Sequence, residues 1–274
     1  MKTSRRLTRS AAAAALVLPL TVAAVGAPAS ASVGLADWRG YPPPGWGFPA
    51  PARTTSYAAL DTGDATATQS SGVVQISTVL GYGEGEAAGT GMVLSDDGLV
   101  VTNHHVVEGA TSITVTVPTT GATYDADVLG LDATRDVAVL RLEDAGGLAT
   151  VTTDASGVSA GDAVTAVGDA GGDGGGLTAA PGTVTHPRTS IPVRDDLTGQ
   201  EKPLRNLVEV TSDVVPGDSG GALLDAAGDV VGMSVAASSG STSVTVDGYA
   251  IPIARVLRVV ARVEAGTLAT GAVG

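Results

Sequence analysis

Three short segments carry side chains suited to covalent acyl transfer: VTNHHVV at 101–107, DATRDVAVLRL at 132–142 and PGDSGGALL at 216–224. They supply a histidine pair, two aspartates four residues apart and a serine set among glycines. Acyl transfer to a hydroxyl needs a base to take its proton, an acid to orient that base and donors for the developing oxyanion. GDSGG also fits the G-x-S-x-G turn of the α/β-hydrolases, but there the histidine follows the serine. His104, His105 and His186 all precede Ser219, which removes that reading. Asp96 and Asp97 leave the order Asp, His, Ser open. The order His, Asp, Ser fits better, because Asp136 heads the apolar run VAVLRL, whereas the other two sit in a polar turn.

The elements that must position these groups read as strands. Val, Thr and Ile recur in runs such as SITVTVP, AVTAVG and GTVTHP, broken by Gly, Asp, Ser and Pro, an all-β pattern with faces of period two. IARVLRVVARVEAG at 253–266 has helical spacing and predicts a terminal helix. About 240 residues remain after the leader described below, enough for one domain with a sizeable core.

Longer stretches around the three segments resemble the HtrA/Deg branch of the trypsin-fold serine proteases. GTGMVLSDDGLVVTNHHVVEGA resembles that family's strand, turn, strand and histidine turn; DATRDVAVLRL its aspartate segment; PGDSGGALLDAAGDVVGMSVA its serine loop and following strands; and GYAIPI its closing strand. The resemblance implies two six-stranded antiparallel β-barrels with a short C-terminal helix. It implies His105 as general base, Asp136 as orienting acid, Ser219 as nucleophile, and the N–H groups of Gly217 and Ser219 as oxyanion donors. His104 and Asp132 are left structural. One departure stands out: that family usually has asparagine before the serine, and this chain has Asp218. A buried carboxylate needs a partner, here a processed N-terminus, an arginine or water.

Six residues before Ser219 lies Asp213, where the trypsin branch floors its pocket for Arg or Lys, though a loop of different length makes it a structural acid instead. Ser234, Val235 and Ala236 fall on the strand expected to line the substrate cleft. Ala236 or its neighbour stands where an open pocket has glycine, so a small or medium aliphatic P1 residue is preferred over a basic one. Other readings remain. A binding module with a collapsed oxyanion loop fits an unpartnered Asp218, and an esterase fits the same triad.

The flanks differ in character. Lys2, Arg5, Arg6 and Arg9, an apolar stretch from Ala11 to Val25 and the Ala29-Ser30-Ala31 site make 1–31 a signal peptide and the protein a secreted one. Residues 32–70 are rich in Pro, Gly, Ser and Thr and hold Trp38, Tyr41, Trp46 and Phe48, a composition suited to a propeptide or to homo-oligomer contacts. The protease domain is placed at 71–266, with a tail at 267–274. Only that tail follows, so regulation through an appended PDZ domain is not expected.

With no cysteine, disulfides and thiol catalysis are excluded. Adjacent His104 and His105 do not match H-E-x-x-H spacing, and neither a metal nor a cofactor is expected. Asp169 and Asp173, in the loop GDAGGDGGG, are the nearest approach to a calcium-type set. Losing the leader leaves 11 cationic against 28 acidic side chains, a surface that repels nucleic acid and anionic lipid. The partners expected are protein or peptide substrates, with no nucleic acid and no membrane.

Overall fold

A computed structural model describes residues 62–81, 83, 85–194, 201–235 and 248–268. The signal peptide, the aromatic residues Trp38 to Phe48, Ala236 and residues 269–274 lie outside the described residues.

Strands β2 (Val73–Leu80), β3 (Gly85–Val93), β4 (Leu99–Thr102), β5 (Ala110–Val117), β6 (Ala122–Asp132) and β7 (Val137–Leu142) form a closed antiparallel barrel in the order β2-β3-β4-β7-β6-β5. A single helical turn, α1 (His104–Val107), follows β4. Strand β6, ATYDADVLGLD, alternates exposed and half-buried positions along its first half, as a strand with one wet face should. Strands β4 and β7 are buried nearly throughout because both their faces are covered. Val100, Ala138 and Leu140 point into the barrel with Val74, Ile76 and Val115. Leu99, Val101, Val137 and Val139 point the other way, into a second core shared with Leu207, Met233 and Ile251. A fully buried valine or leucine contributes about 1.5–3 kcal/mol, so this two-faced pair holds the halves of the domain together.

The second half corrects the expectation of two six-stranded barrels: it is a seven-stranded sheet. Its strands are β1 (Gly63–Asp64), β8 (Ala163–Gly168), β9 (Thr178–Arg194), β10 (Glu201–Val210), β11 (Ala222–Leu224), β12 (Val230–Val235) and β13 (Gly248–Pro252), in the order β1-β9-β10-β13-β12-β11-β8. The reason lies in β9, whose 17 residues exceed the span of any one neighbour. Residues 178–183 of β9 pair with β8, residues 184–194 pair with β10, and Gly63–Asp64 add a seventh strand beside Thr178 and Ala179. Strand β1 comes from the Gly- and Thr-rich leading segment, whose composition carries no strand pattern.

Helix α2 (Ile253–Glu264) starts directly from β13. Ile253, Val256, Val259, Val260 and Val263 are buried in the shared core, the i, i+3, i+4, i+7 stripe of an amphipathic helix. Among the described residues no helix is long and apolar enough to cross a membrane.

Candidate active site

The end of β4 and the start of β7 are neighbours because those strands pair antiparallel, with Thr102 opposite Ala138. That register brings the turn after β4 beside the residue before β7, although 31 residues separate them in sequence. Asn103 closes the gap: its Nδ2 donates to the Asp136 carbonyl at 3.0 Å. Asp136 itself sits at φ 54°, a left-handed conformation that aspartate tolerates better than most residues.

His105 and Asp136 meet in this corner. The His105 backbone N–H donates to Asp136 Oδ1 at 3.0 Å, and His105 Nδ1 lies 2.9 Å from Oδ2 and 3.1 Å from Oδ1. Asp136 is fully buried and His105 nearly so. A carboxylate accepts and does not donate, so Nδ1 carries the ring proton and Nε2 is the basic nitrogen. The other histidine is differently placed. His104 is buried, its Nδ1 has no hydrogen-bond partner, and burial holds its pKa below the ordinary histidine range. Asp132 binds the Arg135 backbone N–H and guanidinium and reaches Arg262 Nη1 at 3.4 Å.

Ser219 lies in the loop between β10 and β11, and that loop is docked onto β3. Thr90 N–H donates to Ser219 O at 2.8 Å and the Thr90 hydroxyl donates to Gly217 O at 2.7 Å. Contact this close demands glycine. A Cβ on Gly220 would stand 2.1 Å from Thr90 O, and one on Gly217 2.0 Å from Asp169 O; both residues have positive φ, 87° and 101°. The Pro216 carbonyl accepts from Gly171 N–H at 2.8 Å. Among the described residues no peptide bond is cis, so the Gly217 N–H points away from the 169–172 loop.

Beneath this loop are two buried carboxyl groups. Asp218 Oδ2 accepts from Val215 N–H at 2.9 Å, while Oδ1 is buried without a partner. Loss of solvent pushes the Asp218 pKa up to about 7, with the Val215 N–H opposing and nearby Asp169 adding to the rise. Asp169 is raised too, chiefly by burial. Its carboxylate faces inward to Gln75 Nε2 at 3.0 Å, and Gln75 also donates to Gly175 O at 2.9 Å. Asp173 accepts from Gly175 N–H at 2.9 Å, a local turn bond.

The residues expected to bind substrate divide. Ser234 N–H donates to Gly221 O and Ser234 O accepts from Gly220 N–H, both at 2.9 Å, which joins β12 to the serine loop. Val235 is buried and pairs with Tyr249 of β13. Ala236 lies outside the described residues. Asp213 is half-buried at the start of the serine loop. Residue types alone did not bring forward Thr90 or Gln75, whose roles arise from contacts across the domain; the glycines on either side of Thr90 were the available hint of a close approach.

Residues 89–233 match the family model described as a trypsin-like peptidase domain. A probable periplasmic serine endoprotease, DegP-like, from Chlamydia muridarum is 38% identical over 173 residues, covering 63% of this chain and 33% of its own. A DegP-like protein of the same description from Rhizobium meliloti is 34% identical over 190 residues, covering 69% and 36%. This chain therefore spans about a third of the length of these curated relatives. The crystal structure of the active form of the Rv3671c protease from M. tuberculosis superposes with TM-score 0.63 at 28% identity, over 76% of this chain and 86% of that one. The HtrA-type protease AlgW with a tripeptide gives 0.58 at 29% identity, over 72% and 62%.

Proposed function

We propose, from the premise that this chain belongs to the trypsin-like peptidase family in its HtrA/DegP branch, that it is an exported serine endopeptidase working through an acyl-enzyme. The observation that carries this reading is the His105–Asp136 pair, a buried carboxylate 2.9 Å from the ring nitrogen that must keep its proton.

In this mechanism His105 Nε2 takes the hydroxyl proton as Ser219 Oγ attacks the scissile carbonyl carbon. Asp136 fixes the tautomer and stabilises the imidazolium that forms. The N–H groups of Gly217 and Ser219 receive the oxyanion, a role supported by the orientation of the Pro216–Gly217 peptide. Collapse expels the amine, which takes the proton from His105; water then repeats the sequence and frees the acid. Substrate backbone would pair along β12 beyond Ser234, as an added strand. Small or medium aliphatic P1 side chains are favoured over basic ones. Export is supported by the leader and by the periplasmic descriptions of the relatives.

A second reading, a latent form or a binding module, is favoured by the partnerless Oδ1 of Asp218. A fluorophosphonate probe separates the two. Phosphonylation of the folded protein that vanishes in Ser219→Ala establishes a competent nucleophile, whereas a folded sample that stays unlabelled establishes the latent form. Cleavage of an unstructured protein such as casein, against turnover of small esters only, decides between peptidase and esterase.

A further inference from the structure

Thr90 is fully buried on β3, and its polar groups all serve the catalytic corner. Its N–H donates to Ser219 O at 2.8 Å, and its carbonyl accepts from the Thr102 hydroxyl at 2.7 Å, three residues before His105. The hydroxyl does two things at once. It donates to Gly217 O at 2.7 Å and accepts from Asp169 N–H at 2.9 Å. Asp169 is held from the same barrel a second time, by Gln75 on β2.

The consequence falls on Gly217. With φ of 101° and no side chain, its backbone has more rotational freedom than any residue beside it. Two carbonyls flank its nitrogen and carbon: Pro216 O, held by Gly171 N–H, and Gly217 O, held by the Thr90 hydroxyl. Together they fix the planes of both peptides on either side of Gly217, and so the direction of its N–H. Gly171 belongs to the loop that begins at Asp169, so the Thr90 hydroxyl secures both anchors, one directly and one through Asp169.

We infer that Thr90 is a positioning residue for the oxyanion donors, acting through its hydroxyl as a latch between the 169–172 loop and Gly217. The inference rests on the protease reading above and gives that reading a residue outside the triad on which rate depends. A latch of this kind affects the step in which the oxyanion develops more than the binding that precedes it.

The test is the inactivation of the exported full chain by a fluorophosphonate, measured as kinact and KI. In that reaction the Ser219 oxygen bonds to phosphorus, fluoride leaves, the hydroxyl proton passes to His105, and the phosphoryl oxygen takes the oxyanion position. Thr90→Val keeps the shape and removes the hydroxyl. The expected result is a kinact lowered about tenfold or more with KI within about threefold, and recovery to near wild type in Thr90→Ser. Wild-type kinact in Thr90→Val overturns the inference, as does equal loss in the Val and Ser variants, which would show that keeping the hydroxyl does not keep the rate. Circular dichroism and a thermal melt establish folding of each variant. Should the valine form not fold, Thr90→Ala against Thr90→Ser asks the same question: loss in alanine alone supports the latch, and equal rates overturn it. A wild-type chain that does not label at all fails the protease reading itself, and the wild-type sample reports this before any variant is compared.

Discussion

Asp218 is a carboxyl group kept in a place that does not suit its charge. In the folded protein its pKa is pushed up to about 7, and in the unfolded chain it returns to the ordinary 3.8. Between those values the native state holds more protons. Its contribution to stability is therefore fully present below about pH 4, is lost as pH rises towards about 7, and stays lost above. Asp169 is shifted in the same direction and adds to the same slope. Asp218→Asn keeps an acceptor for Val215 N–H and removes the charge. The variant is expected to gain about 1–3 kcal/mol over wild type at pH 8 and little at pH 4. Urea unfolding at the two pH values measures this; a gain equal at both would show that the carboxyl's ionisation is not the cause. The two candidate acids separate as cleanly. Asp136→Asn should slow fluorophosphonate labelling by about 10³–10⁴-fold through the wrong tautomer of His105. Asp132→Asn, which loses only contacts to Arg135 and Arg262, should leave the rate within about threefold and cost about 1–3 kcal/mol, because the carboxylate is buried.

The decisive elements are β4 and β7. Each is a short apolar run with both faces covered, one lining the barrel and the other packing on the core beneath α2. Their pairing positions His105 and Asp136 at its open end, so the site inherits the rigidity of the most buried strands. Helix α2 covers the outer face of this pair and is tied to the end of β6, the strand beside β7, through Arg262 and Asp132. Val259, on the buried face, is about 1% exposed. Val259→Ala should destabilise by about 1–3 kcal/mol from lost burial and the remaining cavity, whereas exposed Arg258→Ala should change stability by under about 0.5 kcal/mol. Urea midpoints for the two variants check the helix's part in the core. Equal shifts would place the helix outside it.

At the scale of the whole molecule the excess of acidic over cationic groups opposes compaction. The 274-residue chain carries a formal net charge of −13, and more once the four cations of the leader are removed. Screening length falls from about 30 Å at 0.01 M salt to about 3 Å at 1 M, so added sodium chloride should raise the thermal midpoint of the wild-type protein by several degrees. The same rise in an uncharged osmolyte of equal osmolality would assign the effect to solvent exclusion instead.

The trypsin-like family was legible in the chain because its motifs rest on residue types that few contexts tolerate: a histidine, an aspartate and a serine in one order, and glycines where backbones come too close for a Cβ. The apolar runs of β4 and β7 and the helical spacing after Pro252 were equally plain, since a periodic pattern is a local property. Other features were not local. Composition gave no sign that Gly63–Asp64 would add a strand, or that β9 would change partners midway and make a seven-stranded sheet where a second six-stranded barrel was expected. The pairing of His105 with Asp136 needs the β4–β7 register, and the hold of Thr90 on Gly217 needs a loop 127 residues away to dock on β3. Residue identity determines what a side chain is able to do; which groups meet is decided by strand register and loop docking, and those follow from burying the whole core at once.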